Sequence, residues 1–425
     1  MSTALEGLAP SHVAGTPQGI TSVCSAHPVV LRAALRHGRE TGATVLIEAT
    51  CNQVNHQGGY TGMKPADFAE LVTRIAAEEE CPKAQIILGG DHLGPNPWRE
   101  RAATEAMREA EIMVAAYVAA GFRKIHLDCS MGCAGEPEAL DDATTAQRAV
   151  QLAMIAESTA REQGLPVPLY IIGTEVPPPG GADHALDNVP PTSAEAARRT
   201  IDIHRQTFTE NGLADAFGRV IGLVVQPGVE FGNHNVIQYD RALAQDLIQV
   251  LSSAPELVFE AHSTDYQGLT PLCHLVADGF AILKVGPELT FMLREALYAL
   301  DLIASDLLPD YGQRPLMHAM ETAMLDAPQN WQRHYHGTSA ETRLLRHYSL
   351  SDRIRYYWPS APAEAAVHAL MDALTGVRIP MPLLRQHLAG AEEFADTPLD
   401  PTEVLVWYVG QTLRTYHAAC TAEAS

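Results

Sequence analysis

Basic side chains are scarce in this sequence: 29 Lys and Arg stand against 51 Asp and Glu, a formal net charge of −22. So acidic a surface repels nucleic acid and anionic lipid, and neither is expected as a partner. An anionic ligand would need a local positive feature such as a metal ion, a helix N-terminus or a lysine. Long apolar runs are missing too. None reaches the ~20 residues that span a bilayer, and "MSTALEGLAPSHVAG" lacks the basic segment of a signal peptide. The seven cysteines contain no CxxC pair, and an odd set of thiols suits a reducing cytoplasm. Cys129 and Cys133, four apart, read as small buried residues rather than a metal pair. There is no GxxxxGK[ST], no GxGxxG after a strand and no GxSxG. Phosphoryl transfer from a nucleotide, a Rossmann cofactor and a serine hydrolase therefore find no support.

What is present is a beat. Short β-branched or apolar runs recur eight times: "GITSVCS" (19–25), "ATVLIEAT" (43–50), "AQIILGG" (84–90), "RKIHLDCS" (123–130), "PLYIIGTE" (168–175), "RVIGLVVQ" (219–226), "ELVFEAHS" (256–263) and "FAILKVG" (280–286). Between them lie amphipathic stretches such as "PVVLRAALRHGRETG", with glycine near the C-cap. Eight βα units in under 290 residues predict an α/β fold, a (β/α)8 TIM barrel over residues 1–300 that carries the site. A doubly wound sheet would need a glycine-rich turn after strand 1, and "VCSAHPVV" is not one. After about residue 300 the strand beat stops, and 301–425 is expected as a helical extension packed on the barrel, part of a lid or a subunit contact.

A barrel of this kind keeps its site at the C-terminal ends of the strands. Those ends carry His27, Asn52 and Gln53, Asp91 and His92, Asp128, Glu175, Gln226 and Glu230, His262 to Asp265, and Lys284. His92, Glu175 and His262, from strands 3, 5 and 7, converge on one mouth and suit a divalent metal with a position left for substrate. Zinc is the first choice, with manganese, nickel, cobalt and magnesium as alternatives. Asp91 cannot share the side-chain direction of His92 in an extended strand, so it is expected to act on substrate as acid or base. Asp128 is a second catalytic carboxylate or the cap of the next turn. Ser263 and Thr264 bind an oxyanion together with the helix start in "KVGPELT", or merely cap the following helix. The proline-stiffened loop 174–198 reads as a lid or as plain surface.

The stretches "IEATCNQVNHQGGYTGMKPADF", "ILGGDHLGPNPW", "KIHLDCSM", "GTEVPPPGGA", "VVQPGVEF", "FEAHSTDYQ" and "ILKVGPELTF" resemble the D-tagatose-1,6-bisphosphate aldolase Z-subunit family, the GatZ/KbaZ-type proteins. The resemblance runs from about residue 15 through "HYSLSDRIRYYWPS" and beyond. That family is distantly similar to the class II zinc aldolases. The resemblance implies proton transfer by Asp91, metal binding by His92 and Glu175, and metal and phosphate binding by His262, Ser263 and Thr264. Lys284 matches a further substrate-binding strand, and Asn52, Gln53 and His27 complete the expected substrate set. The aldolases carry another zinc-binding His on strand 6, and near Phe231 this sequence has none. Gln226 is taken as that ligand, with Glu230 and His234 as alternatives; Glu230 also joins Asp91 and Asp128 as a candidate catalytic carboxylate.

Two roles follow from the resemblance. The first is a supporting subunit of a class II aldolase chain in galactitol or N-acetylgalactosamine catabolism. The second is a metal-dependent 4-epimerase of a ketose or ketose phosphate such as D-tagatose 6-phosphate, working by retro-aldol cleavage and re-addition. A cytoplasmic homo-oligomer is expected in either case.

Overall fold

A computed structural model describes residues 4–173 and 189–421. All eight apolar runs contain a strand: β1 (Ile20–Cys24), β2 (Val45–Thr50), β3 (Ile86–Leu93), β4 (Lys124–Leu127), β5 (Leu169–Gly173), β6 (Val220–Val225), β7 (Val258–Ala261) and β8 (Phe280–Val285). Each pairs in parallel with the next, and β8 closes on β1 through Ile20–Val23 against Ile282–Val285. The result is the expected (β/α)8 barrel. The helix Pro28–Thr41 shows how its outer layer forms. Pro28 starts it, His27 Nδ1 accepts the Val29 N–H, and Gly42 ends it in the left-handed region at φ 71°. Val30, Leu31, Ala34 and Leu35, three or four residues apart, bury one face. Between β6 and β7 a hairpin (Glu230–Phe231 with Val236–Ile237) and the one-turn helix Gln245–Ile248 stand where other units carry a long helix. No helix among the described residues is long and apolar enough to cross a membrane.

The barrel interior is layered by the period of two along its strands. Ile20, Leu46, Ile171, Val258 and Ile282 form an apolar floor, plugged by Leu5, Leu8 and Ala9. Two residues further along, Ser22, Glu48, Lys124, Glu260 and Lys284 form a charged layer, and all five are buried. Two residues further again stand His126 and His262, at the mouth.

Residue 300 falls inside the helix Pro287–Leu307. The chain beyond it is anchored by Asp301, whose buried carboxylate accepts the Leu316 and Met317 N–H groups (3.2 and 3.1 Å) and the Tyr311 hydroxyl. Asn233, in the hairpin turn, ties Ser349, Leu350 and Ser351 over the barrel mouth. The last helix, Pro401–Thr421, packs back on Pro28–Thr41, Leu269–Ala277 and Pro287–Leu307. Asp352 is buried among these elements, accepts the Thr290 hydroxyl at 2.6 Å, and is pushed up to about 7 by burial. A carboxyl raised above its unfolded value loses stability as pH climbs from the unfolded value to the folded one. Asp352→Asn should therefore raise the melting temperature by a few degrees at pH 8, with the gain shrinking toward about pH 4; thermal melts across that range measure it.

Candidate active site

β3 ends in a distortion that makes the site. His92 has φ +50°, a conformation a branched or bulky residue rarely takes, and the β3–β4 register shifts between Gly90 and Leu93. Alternation of side chains is broken there, so Asp91 and His92 reach the same place, with Asp91 Oδ2 3.8 Å from His92 Nε2. This corrects the expectation that neighbours on a strand must diverge. The kink also lays the backbone against β4: a Cβ on Gly94 would lie 1.7 Å from the Asp128 carbonyl oxygen. Gly94→Ala should cost about 3 kcal/mol of stability or more and take activity with it, as read by melting temperature and turnover.

Asp91, His92, His126 and His262 each bring one ligand atom within 4.8 Å of the others, a group able to hold a metal ion. Each imidazole uses one ring nitrogen as an N–H donor to a fixed oxygen: His92 Nδ1 to Asp128 Oδ2 (2.8 Å), His126 Nε2 to the Gly173 carbonyl (2.9 Å), His262 Nε2 to Glu260 Oε1 (2.9 Å). That sets the tautomers and puts the lone pairs on His92 Nε2, His126 Nδ1 and His262 Nδ1, as in metal-ligating histidines, with His126 Nδ1 also accepting the His92 backbone N–H at 3.2 Å. Asp91 Oδ1 lies 3.0 Å from His126 Nδ1, close enough for both atoms to serve one cation.

Charge points the same way. In the layer below, Lys124 Nζ bonds Glu48 and Glu260, both at 2.7 Å. Lys284 Nζ reaches Asp91 Oδ1 (2.7 Å), Glu48 (3.1 Å) and Glu260 (3.5 Å). Four buried carboxylates, Asp91, Asp128, Glu48 and Glu260, face two ammonium groups, which leaves two negative charges beside three imidazoles. Among the described residues, a divalent cation bound there would offset that excess. Burial pushes the Asp91 carboxyl up, but the His92 ring, Lys284 and the His126 contact outweigh it and hold it well below the usual carboxylate range. Asp128 is likewise brought down to about 2, burial being outweighed by His92. Burial lowers His262 to about 3, so its ring is neutral.

The group opens onto a cavity of about 600 Å3, lined at its floor by Asp91, His92, His262 and Lys284 and at its roof by Arg355, Tyr356 and Trp358 of the C-terminal extension. That volume is in the range of small-molecule sites. The model of the D-tagatose-1,6-bisphosphate aldolase subunit GatZ/KbaZ-like family matches residues 5–421. The chain belongs to that family. It is 61% identical over 419 residues to a D-tagatose 6-phosphate 4-epimerase of Agrobacterium fabrum (strain C58 / ATCC 33970), covering 99% of both chains. A crystal structure described as a probable tagatose 6 phosphate kinase from Sinorhizobium meliloti 1021 matches with TM-score 0.87 and 53% identity, covering 95% of this chain and 100% of that one.

In this GatZ/KbaZ-like chain the other residues singled out in the sequence take varied places. Asn52, Gln53, His27 and Ser263 line the cavity, as does Asp128, which acts on the site by orienting His92. Burial lowers His27 to about 4, leaving it neutral as the cap of its helix. Lys284 also lines the cavity, but its three N–H donors are directed at carboxylates, so it serves the charged layer rather than a phosphate. Thr264 is turned away: its hydroxyl meets the Lys284 carbonyl (2.6 Å) and the Tyr416 hydroxyl (3.1 Å), tying strand 7 to the last helix. Gln226 is not in the metal group, because its carboxamide oxygen accepts the Gly228 and Val229 N–H groups (both 2.8 Å) and holds the turn after β6. Glu230 is drawn into the hairpin, accepts its neighbour's Phe231 N–H at 2.9 Å, and does not line the cavity. Glu175 lies outside the described residues, with Gly180 and Gly181 of the predicted lid. The residues missed from the sequence are His126, Glu48, Lys124, Glu260 and Arg355. The first four share a signal: a polar residue at an inward position of an otherwise apolar strand.

Proposed function

We propose that this chain is a metal-dependent 4-epimerase that interconverts D-tagatose 6-phosphate and D-fructose 6-phosphate. The observation that carries it is the convergence of Asp91 with three imidazoles, two of them lining the floor of a cavity of about 600 Å3. His92, His126 and His262 would hold the cation, with Asp91 beside them for proton transfer; zinc suits three imidazoles with one position left open. A divalent cation supplies, when bound, a Lewis acid for the C2 carbonyl and C3 hydroxyl of a ketose. Asp91, ionised at neutral pH, takes the proton of the C4 hydroxyl as the C3–C4 bond breaks and C4 becomes an aldehyde. The bond pair passes to the three-carbon fragment as an enediolate, and Lys284 and the charged layer keep Asp91 in place. The aldehyde turns about C4–C5, C3 adds to its other face, and Asp91 returns the proton. Every proton and electron is restored, and only the configuration at C4 has changed.

The Agrobacterium relative's name matches this chemistry. A role limited to supporting an aldolase chain gives no reason for six buried ionisable groups and three imidazoles at one mouth, since buried charge is costly unless paired. The seven unpaired cysteines support a cytoplasmic setting. The test is direct: the purified chain, supplied with Zn²⁺, Mn²⁺ or Ni²⁺, should convert D-tagatose 6-phosphate to D-fructose 6-phosphate, followed by 13C NMR. No turnover with any of these metals, together with activation of a separate class II aldolase chain, would establish the supporting role instead.

A further inference from the structure

We infer that Arg355, on the short helix Arg353–Tyr357 that roofs the barrel mouth, is the anion anchor of the cavity and takes the phosphate monoester of the substrate. This rests on the epimerase reading and adds to it the group that recognises the phosphorylated end.

The places where such a barrel would ordinarily hold a phosphate are filled by the protein's own groups. The helix Pro287–Leu307 begins at the mouth, but Asp265 Oδ1 already accepts the N–H groups of Gly286 (3.0 Å) and Glu288 (2.8 Å). Glu288 itself stands in that first turn, so a phosphate there would meet two carboxyl groups. Lys284 is held by three carboxylates. In a chain of net charge −22, this leaves one strong cation on the cavity wall without a carboxylate partner among the described residues.

Arg355 is built to wait for an anion. One terminal nitrogen donates to the carbonyls of Ser351 and Asp352, and the other donates to the Tyr356 hydroxyl at 3.0 Å. The guanidinium lies over the Tyr356 ring, 4.6 Å from its centre, and Tyr60 packs edge-on against the same ring. These partners fix the side chain without neutralising it, and they leave donors of the guanidinium unused where it lines the cavity. Asp352 and Asp265 add their fields from the adjoining elements but form no ion pair with it. A planar guanidinium so placed suits the bidentate geometry of a phosphate. The reacting carbons then sit at the floor by Asp91 and the phosphate at the roof, which makes the C-terminal extension the part that selects a phosphorylated ketose.

The test compares the wild type with Arg355→Gln and Arg355→Lys. Arg355→Gln should raise KM for D-tagatose 6-phosphate and the dissociation constant of inorganic phosphate about 100-fold, with kcat changed far less. The preference for D-tagatose 6-phosphate over D-tagatose should fall by a similar factor. Arg355→Lys, which keeps the charge but loses the fork, should lie between the two. Thermal stabilisation by inorganic phosphate provides a readout that needs no turnover. If the wild type binds phosphate and Arg355→Gln does not, the anchor stands even if no epimerisation is found and the epimerase reading fails. Unchanged phosphate binding in Arg355→Gln overturns the anchor. Should that variant not fold, wild-type phosphate affinity in Arg355→Lys does the same.

Discussion

Asp91→Asn is expected to lower kcat for the 4-epimerisation of D-tagatose 6-phosphate by about 1,000-fold or more, with KM changed far less. Asp91 lines the cavity floor beside His92 and His262. Asp128 is engaged by His92 and Ser130, and Glu48 and Glu260 are engaged by the lysines below. An amide at residue 91 keeps the shape but cannot take the C4 proton. It also removes one of the three carboxylates that hold Lys284, so metal content should be measured alongside the kinetics. Turnover above a tenth of the wild-type value would show that another group moves the proton.

Lys124→Met carries the largest expected cost in stability. Lys124 is fully buried and bonds Glu48 and Glu260, both of which are also fully buried. Deleting one partner of a buried ion pair costs about 3–5 kcal/mol, because the other charge is left without compensation. Here two carboxylates lose a partner at once, and Lys284 is the one cation left between them. Set against a total stability of roughly 5–15 kcal/mol, the variant should melt far below the wild type or fail to accumulate in soluble form. A melting temperature within a degree or two of the wild type would show that the charged layer is not what holds the strands in register.

How much of the structure is legible in the sequence depends on the residue. The strands are legible because their period is short and local, and all eight runs fold as barrel strands. Asp91 and His92 are legible as a pair at a strand end, but their shared direction is not. It depends on a left-handed turn at His92 that tertiary contacts impose. His126 is hidden for a simpler reason. Strand ends draw attention in a barrel, whereas β4 is only four residues long and its inward column runs Lys124, His126, Asp128. The same column on β7 holds Glu260 and His262. The two-residue alternation, carried along the whole of every strand, marks both. Thr264 and Gln226 are misplaced by sequence reasoning because their polar atoms serve the backbone or the last helix, uses that have no local signature. Arg355 is out of reach: it stands more than 250 residues after Asp91 and comes to the cavity through contacts made by Asn233 and Asp301.

The most direct test of the central claim is the fate of the C4 hydrogen when the chain interconverts D-tagatose 6-phosphate and D-fructose 6-phosphate in D2O. Inversion by breaking and remaking C3–C4 never cleaves the C4–H bond, so both sugars should keep protium at C4 at full equilibration, as read by NMR. Deuterium at C4 in step with epimerisation would mean proton abstraction from carbon, and would contradict Asp91 acting on the C4 hydroxyl.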